Sequence, residues 1–359
     1  MNPSIRYLLD NANPVIRYRT LKELCDNTDP ATLSNALQAV LAFPETQKRL
    51  GRLKAQNVFM IHGGYNYCLE VTLPMLGDFG INKETGDFGS FLDIDEVLHT
   101  YRTTTDRKLI HNICLDYFYA HMFRAGYRHP EIDGHFRRRI DTIHGFTKQK
   151  DWDIYISEDS EEYPRKYPLK GRVMKPVLWD SDYIIHNGNF ARFRLPQMQD
   201  IIGFIELYPT ASEDVKFKID DIISYIDSPD YNRFQFSYGG LLVKGKDYNK
   251  GYKAMGWDCM LPLYHKDIEP DYSLFLHRME LFSHFPGIVK GKWFNDGLAL
   301  LETYKTERGT YLLPEDYLRE KNNHWILGNH MKLGEGRSPA ARELESTFWV
   351  MKIKKNGSL

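Results

Sequence analysis

The sequence predicts an all-α fold: an (α/α) toroid of inner and outer helices, with two long loops covering one end. Three observations predict it. An apolar helix rich in aromatics, a short Gly or Pro turn and a more charged amphipathic helix recur along the chain. Hydrophobic residues make up 42% of the 359, enough for one large core, so a single domain over 1–359 is expected. Aromatic residues reach 14%, with 23 tyrosines, which supplies the lining of a central cavity or a bulky core.

The elements follow in order. "PVIRYRTLKELCD" is a short opening helix with Pro14 in its first turn, and "DPATLSNALQAVLAF" follows it. A loose copy of the repeat begins at "YNYCLEVTLPMLGDFGI". "GDFGSF" reads as a turn between helix pairs, and Asp93, Asp95 and Glu96 come just after it. The clearest copy is "LIHNICLDYFYAHMFRAGYRHPEIDGHFRRRIDTIHGF". Leu115, Phe118, Tyr119, Met122 and Phe123 recur there at helical spacing, Gly126 ends that helix, and Ile132, Phe136, Ile140 and Ile143 carry the second. Further copies are "MQDIIGFIELYPTASEDVKFKIDDIISYID" and "DYSLFLHRMELFSHFPGIVKGKWFNDGLALLETYK", the latter broken at Pro286 and Gly287. "SPAARELESTFWVMKIKK" closes the chain, with Ser338 as cap and Pro339 at the first helical position. Segments 150–196 and 234–262 lack helical periodicity, and their aromatic content reads as ordered covering loops.

Composition excludes several function classes. A formal net charge of −1, with no long run of one sign, argues against nucleic acid as a partner. The arginines of "HFRRRI" fan round a helix and read as a solvated face. No apolar run approaches a membrane span, and "MNPSIRYLLDNANP" lacks a signal pattern. Cys25, Cys68, Cys114 and Cys259 lie far apart without a CxxC, as reduced thiols of a cytoplasmic protein would.

In order and spacing, five stretches resemble the bacterial prenyltransferase/squalene-oxidase-repeat proteins of the terpenoid cyclase and protein prenyltransferase toroid superfamily. They are "NANPVIRYRTLKELCD", "HGGYNYCLEVTLPMLGDFGI", "HNICLDYFYAHMFRAGYRHPEI", "GYKAMGWDCMLPLYHKD", and "ERGTYLLPEDY" with the closing helix. The resemblance implies the toroid and its cavity but no particular reaction, since toroids host many functions. The chain departs from the family where a Cys/His-rich turn is usual: "VLWDSDYIIHNGNFARFRLP" keeps Trp179 and His186 but has no cysteine.

The resemblance frames the candidate chemistry. Class II terpene cyclases protonate an alkene with a carboxylic acid kept neutral in a dry pocket. "DIDE" carries Asp93 and Asp95 in that manner, although acids are also favoured at helix starts. Protein prenyltransferases hold a catalytic zinc through Asp, Cys and His. Here Asp258 and Cys259 are adjacent and would point about 100° apart on a helix. His111 and Cys114 share a helix face, and His265 follows "WDCMLPLY". Neither set is taken as a metal site, and no cofactor is expected. Asp93, Asp95 and Asp258 remain the candidate catalytic acids. Tyr65, Tyr67, His111, Tyr117, Trp257, Tyr264 and Trp293 are the candidate substrate-binding residues, able to line a pocket and stabilise a cation. "HGGY", which begins at His62, reads as ordinary turn chemistry.

The leading expectation is a prenyltransferase- or cyclase-like protein, enzymatic or not, whose partner is an isoprenoid or other apolar small molecule. One alternative is a non-catalytic binding or interaction protein on a degenerate toroid, with any protein partner unspecified. Another is a glycosidase or lyase using paired carboxylates across the cavity, drawn from Asp95, Asp116, Asp182 and Asp258.

Overall fold

A cap-and-proline dipeptide starts helix after helix. Asn2 precedes α1 (Pro3–Asn11), Asn13 precedes α2 (Pro14–Arg19) and Asp29 precedes α3 (Pro30–Ala42), each side chain accepting a first-turn amide. The proline's missing N–H falls where a helix has no partner for one. The computed structural model describes residues 2–55, 69–90, 92–103, 108–157, 159–161, 173–178, 194–233, 240–243, 251–254, 259, 261, 272–318 and 331–358. After α3 come α4 (Pro44–Ala55), α5 (Leu69–Asp78), α6 (Ile94–Thr103), α7 (Lys108–Arg124) and α8 (Pro130–Thr147). Then follow α9 (Met198–Leu207), α10 (Glu213–Asp227), α11 (Tyr272–Phe282), α12 (Pro286–Val289), α13 (Lys292–Glu302) and α14 (Pro339–Asn356). His129 and Ser338 cap α8 and α14 in the same manner.

The chain is mostly helical, and the segments expected as helix pairs are helix pairs. Gly126, at φ +89°, ends α7 as expected. Its N–H bonds the Phe123 carbonyl at 3.0 Å and that of Tyr127 bonds Met122 at 3.0 Å, which closes the carbonyls of the last turn.

The expectation of two plain loops needs correction. Segments 150–196 and 234–262 contribute β1 (Val173–Met174), β2 (Gly240–Val243) and β3 (Gly251–Ala254), a three-stranded sheet in the order β1-β2-β3. β1 runs parallel to β2, with Val173 opposite Leu241, and β3 is antiparallel to β2, with Gly240 opposite Ala254. Short β-branched and glycine-flanked runs carry no helical period, so only the strand signal was left in them. The first of these segments is also tied down. Trp152 stacks on Tyr225 at 4.4 Å, and the Lys175 amide bonds the Ile154 carbonyl at 2.9 Å.

From α5 onward burial alternates along the chain, the one-turn α12 aside. In α5, α7, α9, α11 and α14, the described side chains are buried on nearly every face: Asp116 to Phe123 in α7, Met198 to Phe204 in α9, Glu343 to Val350 in α14. By contrast, α6, α8, α10 and α13 bury one stripe, as Ile132, Phe136, Ile140 and Ile143 do on α8. Apolar stripes suit helices that face water on the far side, whereas all-round burial marks helices enclosed by others.

The chain divides into two compact units. One gathers Met1–Val97, His121–Tyr127 and Leu261–Leu359; the other comprises Leu98–Ala120 and Arg128–Met260. In the first, α14 packs against α1, α2 and α11. In the second, α8 packs against α9 and α10. Gly203 of α9 lies against Phe136 of α8, where a Cβ would stand 2.1 Å from the ring. Arg139 of α8 meets the Asp200 carboxylate of α9 with two bonds of 2.8 Å.

Candidate functional site: a buried charge cluster

Helices of the first unit converge on charged side chains within an apolar core. After Arg19, α2 widens into a π-helical turn, Thr20–Leu24, a form common at functional sites. Arg19 donates to both oxygens of Glu23, at 2.6 and 2.9 Å, and to the Asp78 carbonyl at 2.7 Å. Its guanidinium lies over the rings of Phe348 and Trp349, 4.6 and 5.1 Å from their centroids. Lys352 bridges two acids, Glu23 at 3.1 Å and Glu280 at 2.7 Å. His284 stands 3.5 Å from Glu280, and Arg124 pairs with Asp78 at 2.9 Å. Beside them His277 and Arg278 approach one another at 3.1 Å. α2, α5, α7, α11 and α14 each contribute a member.

The environment separates the acids. Burial would raise the Glu23 carboxyl, but the charges of Arg19 and Lys352 outweigh it and hold it at about 2. Glu280 behaves alike: burial opposes, and Lys352, then His284, hold it well below the usual range. At Asp78 burial prevails over Arg124 and Arg19 and pushes the carboxyl up. His121 and His277 are driven to about 3 by burial first and by a neighbouring arginine second, so both are neutral imidazoles at pH 7. The cluster therefore keeps Glu23 and Glu280 as fixed anions, and Asp78 is its acid nearest to proton exchange. Burying this many charges is costly, and such clusters concentrate at functional sites as well as in structural networks.

None of these residues belongs to the set expected from sequence. The signal was a charged residue set inside an apolar run: "LPMLGDFG", "FYAHMFRAG", "FLHRMELFSHF" and "FWVMKIKK". Such runs report that a charge is buried but not which other run it meets.

Among the described residues of the second unit, a buried acid lies beside an imidazole. Asp116 Oδ1 lies 3.6 Å from His135 Nε2, and the ring of Tyr119 packs on His135 at 4.9 Å. Tyr119 also donates to Glu131.

The expected site residues fall in different places. Asp93 is the cap of α6: one carboxylate oxygen accepts the amides of Asp95 at 2.8 Å and Glu96 at 3.3 Å. Asp95 and Glu96 are exposed in the first helical turn. This is the helix-start role of acids, in water rather than in a dry pocket. Tyr117 is buried in α7, and Trp293 is half-buried in α13 with its ring against Phe282 at 6.3 Å. Tyr65, Tyr67, Trp257, Asp258, Tyr264 and His265 lie outside the described residues, as do the side chains of His111 and Cys114. Of the four acids considered for glycoside chemistry, Asp95 is exposed and Asp116 is buried beside a histidine, while Asp182 lies outside the described residues with Asp258. Among the described residues no group of three His, Cys, Asp or Glu is placed to hold a metal, and no helix is long and apolar enough to cross a membrane.

No protein-family model matches the chain, and neither a curated protein nor a solved structure is detectably similar to it.

Proposed function

We propose that the protein is a prenyltransferase/terpene-cyclase-like (α/α) toroid that holds an isoprenoid or other apolar small molecule among aromatic inner helices. The observation that carries this reading is the alternation of burial: helices buried all round take turns with helices buried along one stripe. That is the pattern of a two-layer array of helical hairpins. The buried aromatic side chains of Tyr117, Phe118 and Tyr119 on α7 support a site for such a ligand.

Binding without turnover is favoured over cyclase chemistry, because Asp93 is committed to capping and Asp95 faces water. The test is a fluorescence titration of the purified protein with farnesol and geranylgeraniol, alongside product analysis with the corresponding diphosphates. Saturable binding of a prenol with no product is the expected result. Absence of saturable binding to either prenol would end the reading, and product formation would restore an enzyme.

A further inference from the structure

The chain between residues 331 and 336 is strapped to α14 by one buried carboxylate. Glu345 is 1% exposed. Its Oε1 accepts the Leu333 amide at 2.7 Å and the Glu335 amide at 3.3 Å, while its Oε2 is buried with no hydrogen-bond partner. One turn further, the Trp349 indole donates to the Met331 carbonyl at 2.6 Å. On its other side the strap meets the start of α2. The Asn13 amide donates to the Glu335 carboxylate, and the Asn13 side chain donates to the Leu333 carbonyl at 2.9 Å. Gly334 lies between them at φ +86°, and a Cβ there would stand 3.2 Å from the Phe43 ring. The strap thus depends on glycine at one position and on Glu345 for two of its amides.

We propose that Glu345 is a protonation-controlled latch: the neutral carboxyl holds the strap against α14, and ionisation loosens it. The reason lies in the orphan oxygen. As part of a neutral acid, an unpaired buried oxygen carries only the modest cost of one missing hydrogen bond. As part of an anion it carries charge without a donor, and the cost rises until water enters. The strap's two amides lie on the same carboxyl group, so movement of the strap is the route by which water reaches the charge.

Burial sets the pH at which this happens, and the surrounding charges adjust it. Lys332 of the strap favours the anion and Glu335 of the strap disfavours it. At Glu335 burial raises the carboxyl, against the Asn13 amide and the charge of Arg17 on α2. Tyr7 of α1, pushed up by burial first and by Glu343 and Glu335 after it, stays neutral. On α14 itself Arg342 lies one turn before Glu345, its Nε buried without a partner. Burial prevails over the two amide bonds and places the Glu345 carboxyl at about 7. Because this folded value lies above the ordinary 4.5, the open form loses its proton first, and the stability of the closed latch is lost as pH rises from about 4.5 through 7 and is level beyond it.

The test is hydrogen exchange of the Leu333 and Glu335 amides in the full chain between pH 6 and 8.5, corrected for intrinsic rates. Protection in the wild type should fall at least tenfold across that range. In Glu345→Gln, which keeps the shape and removes the titration, it should be flat. Glu335→Gln removes the nearest like charge and should move the midpoint to lower pH, which serves if Glu345→Gln does not fold. Wild-type protection that stays flat, or a fall that both variants keep with its midpoint unmoved, would overturn the latch.

Discussion

Lys352 is the residue on which the charge cluster turns, since its single ammonium neutralises Glu23 from the π-turn and Glu280 from α11. Its removal leaves the buried Glu280 and the half-buried Glu23 with less compensation. Lys352→Met should destabilise the protein by about 3 kcal/mol, because an uncompensated buried charge costs more than the lost pair gained. Adding Glu280→Gln to that variant should recover part of the loss. Denaturant unfolding of both measures it, and strictly additive losses would mean that the bridge carries no coupling.

At the scale of elements, the alternation of burial depends on close approach. Gly203 lets α9 lie on α8 with Phe136 filling the space a methyl would need. Gly203→Ala should therefore cost about 2 kcal/mol through overpacking, although alanine is the better helix former. Thermal denaturation decides the sign. Much at this scale was legible: Pro14 in the first turn of α2, the cap at Ser338, the stop at Gly126 and the stripe on α8 are local, and local chemistry reads directly from sequence. α14 was legible as a helix but not in its role. Its buried polar side chains have no apolar period to show because they serve other segments. Glu343 takes Arg308, Thr347 takes the Tyr311 amide at 2.9 Å, and Ser346 takes the Leu313 amide at 3.2 Å. The candidate site was hidden for the same reason. Asp95 looked chemical because its acids were adjacent in sequence, whereas the cluster draws its acids from "TLKEL", "MLGD" and "RMEL", and only folding brings them together.

For the whole molecule, the cluster sets a limit in acid. Glu23 and Glu280 have folded values below the ordinary 4.5, so the unfolded chain takes up protons first as pH falls. The stability they contribute is fully present above about 4.5 and is lost progressively as pH drops toward about 2. Asp78, raised instead, works in the opposite sense and only partly offsets the two. The melting temperature should fall steadily below pH 4.5, and Glu280→Gln should flatten the slope. A melting temperature unchanged between pH 5 and pH 3 would contradict this assignment.

The first unit joins helices more than 300 residues apart in the sequence, and this has a consequence for biosynthesis. Lys355 of α14 pairs with Asp26 across 329 residues, and Ser4 reaches the Gly309 carbonyl. At roughly 5–20 residues per second, α1 and α2 leave the ribosome on the order of half a minute before their partners. During that interval Arg19 and Glu23 have each other but neither Lys352 nor the aromatic pair Phe348 and Trp349. The unit cannot close until its final helix is released. A chain stalled before α14 therefore presents nascent helices with their apolar sides unpaired, as a client for chaperones.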